Sequence, residues 1–151
     1  MQVANNLRIT RRRCGAWLGA AFTAAALPPS RAQGNAQAML EGRRFDTTAG
    51  MAGKSAHVPS DILSFQAGLF HSSDCDQYNY GKGKYTARSE GDAIHFAAET
   101  ESPTYGRNVW KGVVRGSAIE GEFIFYRKPT WWRPNPEPLP HWFNGKELPR
   151  S

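Results

Sequence analysis

The chain is 151 residues long and carries 19 basic and 13 acidic side chains. This length suits one domain and is too short for two independent cores. Five arginines and no acidic residue precede position 33, so 14 basic and 13 acidic residues remain and positions 33–151 have a net charge of about +1. That near balance argues against nucleic acid as a partner, because binding to a phosphate backbone requires a surplus of basic side chains.

Residues 1–32 have the pattern of a secretory signal peptide. Arginines up to Arg13 precede an uncharged run from Cys14 to Leu27, and small residues follow at Ser30 and Ala32. The run is too short for a bilayer, which needs roughly 20 helical residues. We predict cleavage after Ala32, no membrane anchor after cleavage, and a periplasmic or secreted protein that leaves by the Sec or the twin-arginine route.

The part from residue 33 onward alternates apolar and polar side chains with a period of two, and no long amphipathic helical stripe is visible. This alternation predicts β-strands throughout, each with one buried face. The first strands are expected at 44–48, at 62–67 and from residue 69, with a turn at Gly68 between the second and the third.

Two hairpins follow. The first joins 84–88 to 93–100 through a Glu-Gly-Asp turn, and it places Ile94, Phe96 and Ala98 on one face. The second joins 108–115 to 118–126 through Gly-Ser, with the odd-numbered residues of its second strand buried. A last strand is expected at 141–148. About eight short strands in this order predict a single antiparallel up-and-down meander, as a sandwich or as a closed barrel without exposed edges.

Two stretches interrupt the strands, at 74–82 and at 128–140. The second stretch contains five prolines and the adjacent Trp131 and Trp132. Proline cannot donate a hydrogen bond to a neighbouring strand, so this segment is predicted to be a surface loop of the 33–151 domain.

The sequence resembles a group of small exported bacterial proteins with a calycin-like (lipocalin-like) β-barrel, most of which have no assigned function. The resemblance spans Leu40 to Leu148 and is carried by LEGRRFD, FHSSDCDQYNYG, GDAIHFAAETESP, WKGVVRGSAIEGEF and HWFNGK. It implies a meandering barrel with one end able to admit an apolar ligand. It supplies no catalytic residue that can be transferred to this chain.

The first functional hypothesis is a non-enzymatic barrel that binds a small apolar or amphipathic ligand, with Val113 and Ile119 among the residues that line its core or cavity. Large aromatic side chains can line such a cavity or fill it as a plug. The candidate ligand-binding residues are Phe65, Phe96, Phe123, Phe125, Trp131, Trp132 and Trp142. A second hypothesis is an interaction module that presents the 128–140 loop to an envelope protein, with its tryptophans as anchors.

A third hypothesis is a cysteine-dependent enzyme or redox protein, because Cys75 is the only cysteine after the signal peptide. Asp74 and Asp76 flank it, and their charge would raise the thiol pKa and disfavour the reactive thiolate. No catalytic motif is present, so the sequence favours a protein without enzymatic activity. We expect no cofactor and no metal site, since His71 and Cys75 lack the paired ligands that such sites use.

Overall fold

Eight antiparallel strands form a closed barrel in the computed structural model of the chain, which describes residues 31–150. Apart from Arg31 and Ala32, the predicted signal peptide lies outside the described residues. Each strand pairs with the next along the chain, as the predicted meander requires. The elements are α1 (Arg31–Leu40), β1 (Arg44–Met51), β2 (Val58–Gln66), β3 (Leu69–Ser72), a 3-10 helix (Asp74–Tyr78), β4 (Gly83–Glu90), β5 (Ala93–Ser102), β6 (Gly106–Arg115), β7 (Ala118–Arg127) and β8 (Leu139–Glu147).

Pairing between β1 and β8 closes the barrel. Seven residue pairs join the two strands, from Phe45 opposite Glu147 to Met51 opposite His141. Beside this seam the Arg43 guanidinium donates to both carboxylate oxygens of Glu147, at 2.9 and 2.6 Å. The first and last strands are therefore joined by a backbone ladder and by a largely buried ion pair.

Both predicted hairpins are confirmed. Glu90 lies opposite Ala93 across a two-residue turn, and Arg115 lies opposite Ala118 across the second turn. The predicted inward face of β5 is also confirmed, since Ile94, Phe96 and Ala98 are buried.

The prediction that Val113 lines the core is wrong. On β6 the inward residues include Trp110 and Val114, which are almost fully buried, whereas Val113 faces outward. Gly112 faces inward directly opposite Gly121 of β7. A Cβ atom at Gly112 would lie 2.5 Å from the Phe96 ring. Any residue larger than glycine at position 112 would therefore displace this ring.

The prediction of β structure throughout the domain is wrong for residues 33–40, which belong to α1. Ala36 and Leu40, four residues apart on this helix, are completely buried in the core. The helix lies beside β4, whose pairing with β3 is limited to two residue pairs. The Gln37 side-chain amide donates to the Tyr85 carbonyl oxygen at 2.8 Å and so occupies part of the free strand edge. No helix within residues 31–150 is long and apolar enough to cross a membrane.

The connections divide the barrel into two ends. The tight turns at 67–68, 91–92 and 116–117 lie at one end, which we call the helix end because α1 meets β1 there. The longer segments 52–57, 73–82, 103–105 and 128–138 lie at the opposite end, which we call the loop end.

Candidate functional site

The interior of the barrel is packed with aromatic rings. Phe65 has no exposed surface, and its ring centroid lies 6.2 Å from that of Phe45, 5.4 Å from Phe70 and 5.0 Å from both Tyr85 and Phe96. Edge-on and tilted contacts of this kind are typical of aromatic cores. Phe65 and Phe96, predicted to line a ligand cavity, therefore contact each other and their neighbours as part of the packed core.

A column of stacked rings continues from the core to the loop end. Trp110 stacks on Phe123 with a centroid distance of 4.2 Å, and Phe123 stacks on His141 at 4.6 Å with nearly parallel planes. His57 lies 5.8 Å from His141. Of the predicted ligand-binding residues, Phe123 packs on the edge of this core, and Phe125 is half-buried two positions nearer the loop end.

The environment of His141 favours its neutral form. Burial lowers the pKa of His141 below its ordinary value of 6.5, and repulsion from His57 lowers it further, while the hydrogen bond to the Leu139 carbonyl oxygen opposes both effects. A proton on this ring would place a charge between Phe123 and the loop end, where it is poorly solvated.

The protein should therefore lose stability as the pH falls below 6.5, the ordinary histidine value. The unfolded chain takes up the His141 proton at that pH, whereas the folded chain takes it up only at lower pH, so the free energy of unfolding is at its full value above this window. Urea denaturation between about pH 7.5 and 5.5, where most carboxylates stay ionised, measures the slope. His141→Phe keeps a ring against Phe123 and should make the free energy of unfolding less dependent on pH. An equal slope in both proteins would contradict this prediction.

Trp142 lies on the outer wall of the barrel and not beside the other two candidate tryptophans. Its indole nitrogen donates to the Lys54 carbonyl oxygen at 3.0 Å, and its ring covers Gly50, where a Cβ atom would lie 2.8 Å from it. Trp142 also lines an open depression of about 970 Å³ across β4 to β8 that contains both Lys111 and Glu120. Its main contacts hold the β1–β2 connection against β8.

Trp131 and Trp132 occupy the two central positions of a tight turn in the 128–138 segment. The Thr130 N–H donates to the Arg133 carbonyl oxygen at 3.0 Å, and the Arg133 N–H donates back to the Thr130 carbonyl oxygen at 3.1 Å. The two indoles are 88% and 66% exposed, with ring centroids 5.5 Å apart in an edge-on arrangement. This closed turn holds both rings in solvent, where they contact each other.

A second exposed aromatic pair lies at the same end. Tyr78 and Tyr105 are 42% and 44% exposed, and their ring centroids are 5.5 Å apart. The Tyr105 carbonyl oxygen accepts a hydrogen bond of 2.8 Å from the Lys128 N–H. This bond attaches the start of the 128–138 segment to the β5–β6 turn. We call the residues Tyr78, Tyr105, Trp131 and Trp132 the loop-end aromatic surface.

Cys75 lies on the 3-10 helix, three residues before Tyr78. Burial is the main cause that raises the pKa of its thiol to about 12, and the charges of Asp61, Asp74 and Asp76 raise it further against an opposing hydrogen bond from Ser72. The expected effect of the two flanking aspartates is therefore confirmed in direction. A thiol with this pKa stays protonated at neutral pH and is a poor nucleophile.

The histidine nearest to Cys75 in sequence does not act on its sulfur. His71 pairs instead with Asp76 through a contact of 2.7 Å. The Cys75 sulfur receives a weak hydrogen bond from the Asn108 amide at 3.7 Å. Within residues 31–150, no group of three or more histidine, cysteine, aspartate or glutamate side chains is arranged to hold a metal ion.

Native protein should therefore alkylate very slowly at Cys75. A rise in the pKa from 9.0 to about 12 lowers the thiolate fraction at pH 8 by roughly a thousandfold. Iodoacetamide labelling followed by mass spectrometry of the Cys75 peptide, in buffer and in guanidinium chloride, measures the ratio of the two rates. Comparable labelling in both conditions would show that the thiol is accessible and ionised in the folded protein.

Asp61 was not identified from the sequence, although it organises the loop end. This buried carboxylate accepts hydrogen bonds from the Ser72 hydroxyl at 2.7 Å, the Ser73 hydroxyl at 3.1 Å and the Asp74 N–H at 2.9 Å. It thereby ties the start of the 3-10 helix to β2. An aspartate beside Ser60 resembles an ordinary surface residue in sequence, so no local signal marks it.

No protein-family model matches the chain, and the comparisons with curated proteins and with solved structures also found no match. The class of protein is therefore defined by the fold and the surface alone. It is an eight-stranded antiparallel barrel with an aromatic core, a helix before the first strand that packs against one strand edge, and exposed tryptophans at one end.

Proposed function

We propose that the protein is an exported, non-enzymatic binding module that acts through its loop-end aromatic surface. The observation that carries this proposal is the exposure of Trp131 and Trp132, 88% and 66%, on a hydrogen-bonded turn. Tryptophan gains more free energy than most side chains when it leaves water, and it is enriched at the centres of binding sites. Export is supported by the sequence of residues 1–32.

The packed interior favours this proposal over a carrier of small apolar ligands. A ligand site inside the barrel needs a cavity of roughly 300 Å³ or more, and Phe65, Phe70, Phe96 and Trp110 occupy the space with mutual ring contacts. The protonated state of Cys75 likewise gives the cysteine-dependent enzyme little support. We also propose that the protein is related to the calycin-like barrels, and the eight-stranded meander supports this relationship.

Photo-crosslinking in the producing cells tests the proposed function. A photoreactive phenylalanine analogue at position 131 should give discrete adducts, whether with protein or with lipid, because this position is expected to contact the bound surface. The same analogue at position 39 is the matched control, since Met39 is 51% exposed on α1. The adducts at 131 should weaken when Trp132→Ala is added. Equal adducts at both positions, or none at 131, would contradict binding through this turn.

A further inference from the structure

We infer that the surface recognised by the Trp131–Trp132 turn is a lipid bilayer, into whose interface the two indoles insert. This inference rests on the proposed function, and it names the partner. Its starting point is the shape of the turn: two bulky rings project from a two-residue tip, at 88% and 66% exposure. Tryptophan rings with this amphipathic character are favoured at the boundary between lipid headgroups and acyl chains.

The apolar area of the two indoles is small, and the rings project from the turn. Both properties suit a bilayer better than a protein partner. Two indoles offer roughly 300–400 Å² for burial, whereas a stable protein interface buries about 800 Å² on each side. A protein partner would have to supply a matching cleft and a wide contact around it. A bilayer needs no complementary shape, because the rings alone enter a continuous apolar phase.

The backbone of the turn is partly adapted to a region with little water. Unpaired N–H and C=O groups are costly among acyl chains, so a loop that inserts gains from pairing them internally. Here Thr130 and Arg133 exchange both of their backbone hydrogen bonds at the base of the tip, and the backbone groups of Trp131 and Trp132 between them are left to face water or headgroups. Pro129, Pro134 and Pro136 on either side have no N–H group to leave without a partner.

Basic side chains outnumber acidic ones in the segment that carries the turn. The segment 127–138 contains Arg127, Lys128 and Arg133 against the single acid Glu137. An open groove of about 780 Å³ runs beside it, lined by loop prolines and by Arg127 and Lys128, with Glu101 as an acidic lining residue. This local excess favours anionic headgroups, each nearby cation adding to the attraction at low salt.

The loop-end tyrosines fit the same orientation. Tyr78 and Tyr105 are partly exposed beside the start of the loop. With the tryptophans inserted, these phenol rings would lie near the headgroups, where an apolar ring and a polar hydroxyl are both accommodated. The acidic residues at this end, including Asp76, limit the electrostatic part of the interaction. Binding should therefore depend more on the indoles than on ionic strength.

Vesicle sedimentation tests this inference with the protein purified from its producing cells. The probes are vesicles of phosphatidylethanolamine and phosphatidylglycerol at 3:1, with phosphatidylcholine vesicles for comparison. The wild-type protein should sediment with both and more strongly with the anionic set. Trp131→Ala and Trp132→Ala should each lower the partition coefficient by roughly tenfold or more. Brominated acyl chains should quench the fluorescence of these two indoles.

Met39→Ala is the matched control, because it removes an exposed apolar side chain from α1, away from the loop end. It should leave vesicle binding unchanged, and circular dichroism should show that all three variants are folded. The lipid inference would be overturned if the wild-type protein sedimented with neither kind of vesicle. It would also be overturned if the two tryptophan variants bound vesicles as strongly as the wild-type protein. If discrete protein adducts still form at position 131 in cells, the proposed function stands without the lipid. If neither lipid nor protein adducts form, both proposals fail.

Discussion

Replacing Phe65 with alanine is expected to lower the free energy of unfolding by about 3–5 kcal/mol, the range found for phenylalanine truncation in a packed core. The ring has no exposed surface and contacts four other aromatic rings, so the surrounding structure has little freedom to collapse into the space. Guanidinium denaturation followed by near-ultraviolet circular dichroism measures the change.

Trp131→Ala is the control for this experiment, because it deletes a larger aromatic ring that is 88% exposed. It should change the free energy of unfolding by no more than about 0.5 kcal/mol. A loss below about 1 kcal/mol for Phe65→Ala would be far less than a filled core predicts. That result would show that the barrel interior tolerates empty space, and it would favour the hypothesis that the barrel binds a small apolar ligand inside.

Gly83→Ala is expected to destabilise the protein by about 3 kcal/mol, at the upper end of the cost of overpacking. A Cβ atom at Gly83 would lie 1.6 Å from the Glu99 carbonyl oxygen, which belongs to the backbone of β5 and cannot move aside as a side chain can. The strands β4 and β5 would have to separate where β4 begins. Thermal unfolding compared with the wild-type protein measures the loss.

Gly81→Ala provides a control two residues away. The same substitution there meets no atom within 4 Å, and a glycine to alanine change in an unstrained position slightly stabilises a protein by restricting its unfolded chain. The melting temperature should therefore stay the same or rise a little for Gly81→Ala and fall for Gly83→Ala. Similar effects at both positions would mean that the close contact between β4 and β5 is not what constrains Gly83.

The hairpins and the strand order could be predicted from sequence because their signals are local. Two-residue alternation and the glycine turns at 91 and 116 specify which residues pair, and the structure has the expected pairs. The inward face of β5 follows equally well, because Ile94 and Phe96 alternate with His95 and Ala97. Such patterns depend on neighbours in the chain and need no knowledge of the opposite wall.

The errors arose where distant residues decide the outcome. On β6 both faces carry valine, at 113 and 114, and the inward face is decided by Trp110, which packs against Phe70 and Phe143 of other strands. Residues 31–40 present only Ala36 and Leu40 to the core, which is too weak a periodic signal to identify a helix. The exposure of Trp131 and Trp132 was likewise open in sequence, because the same residues could have formed a plug.

Closure of the barrel by β1 and β8 makes folding depend on contacts between residues far apart in the sequence. Before residues 139–147 pair, β1 and β7 each have an unpaired strand edge, and Arg43 has no Glu147 to neutralise it. Contacts between residues this far apart in sequence form late in folding, because forming them costs the loop-closure entropy of most of the chain. Until β8 pairs with both of its neighbours, the rest of the barrel is an open sheet with two unpaired strand edges, and such edges can bind chaperones or other chains.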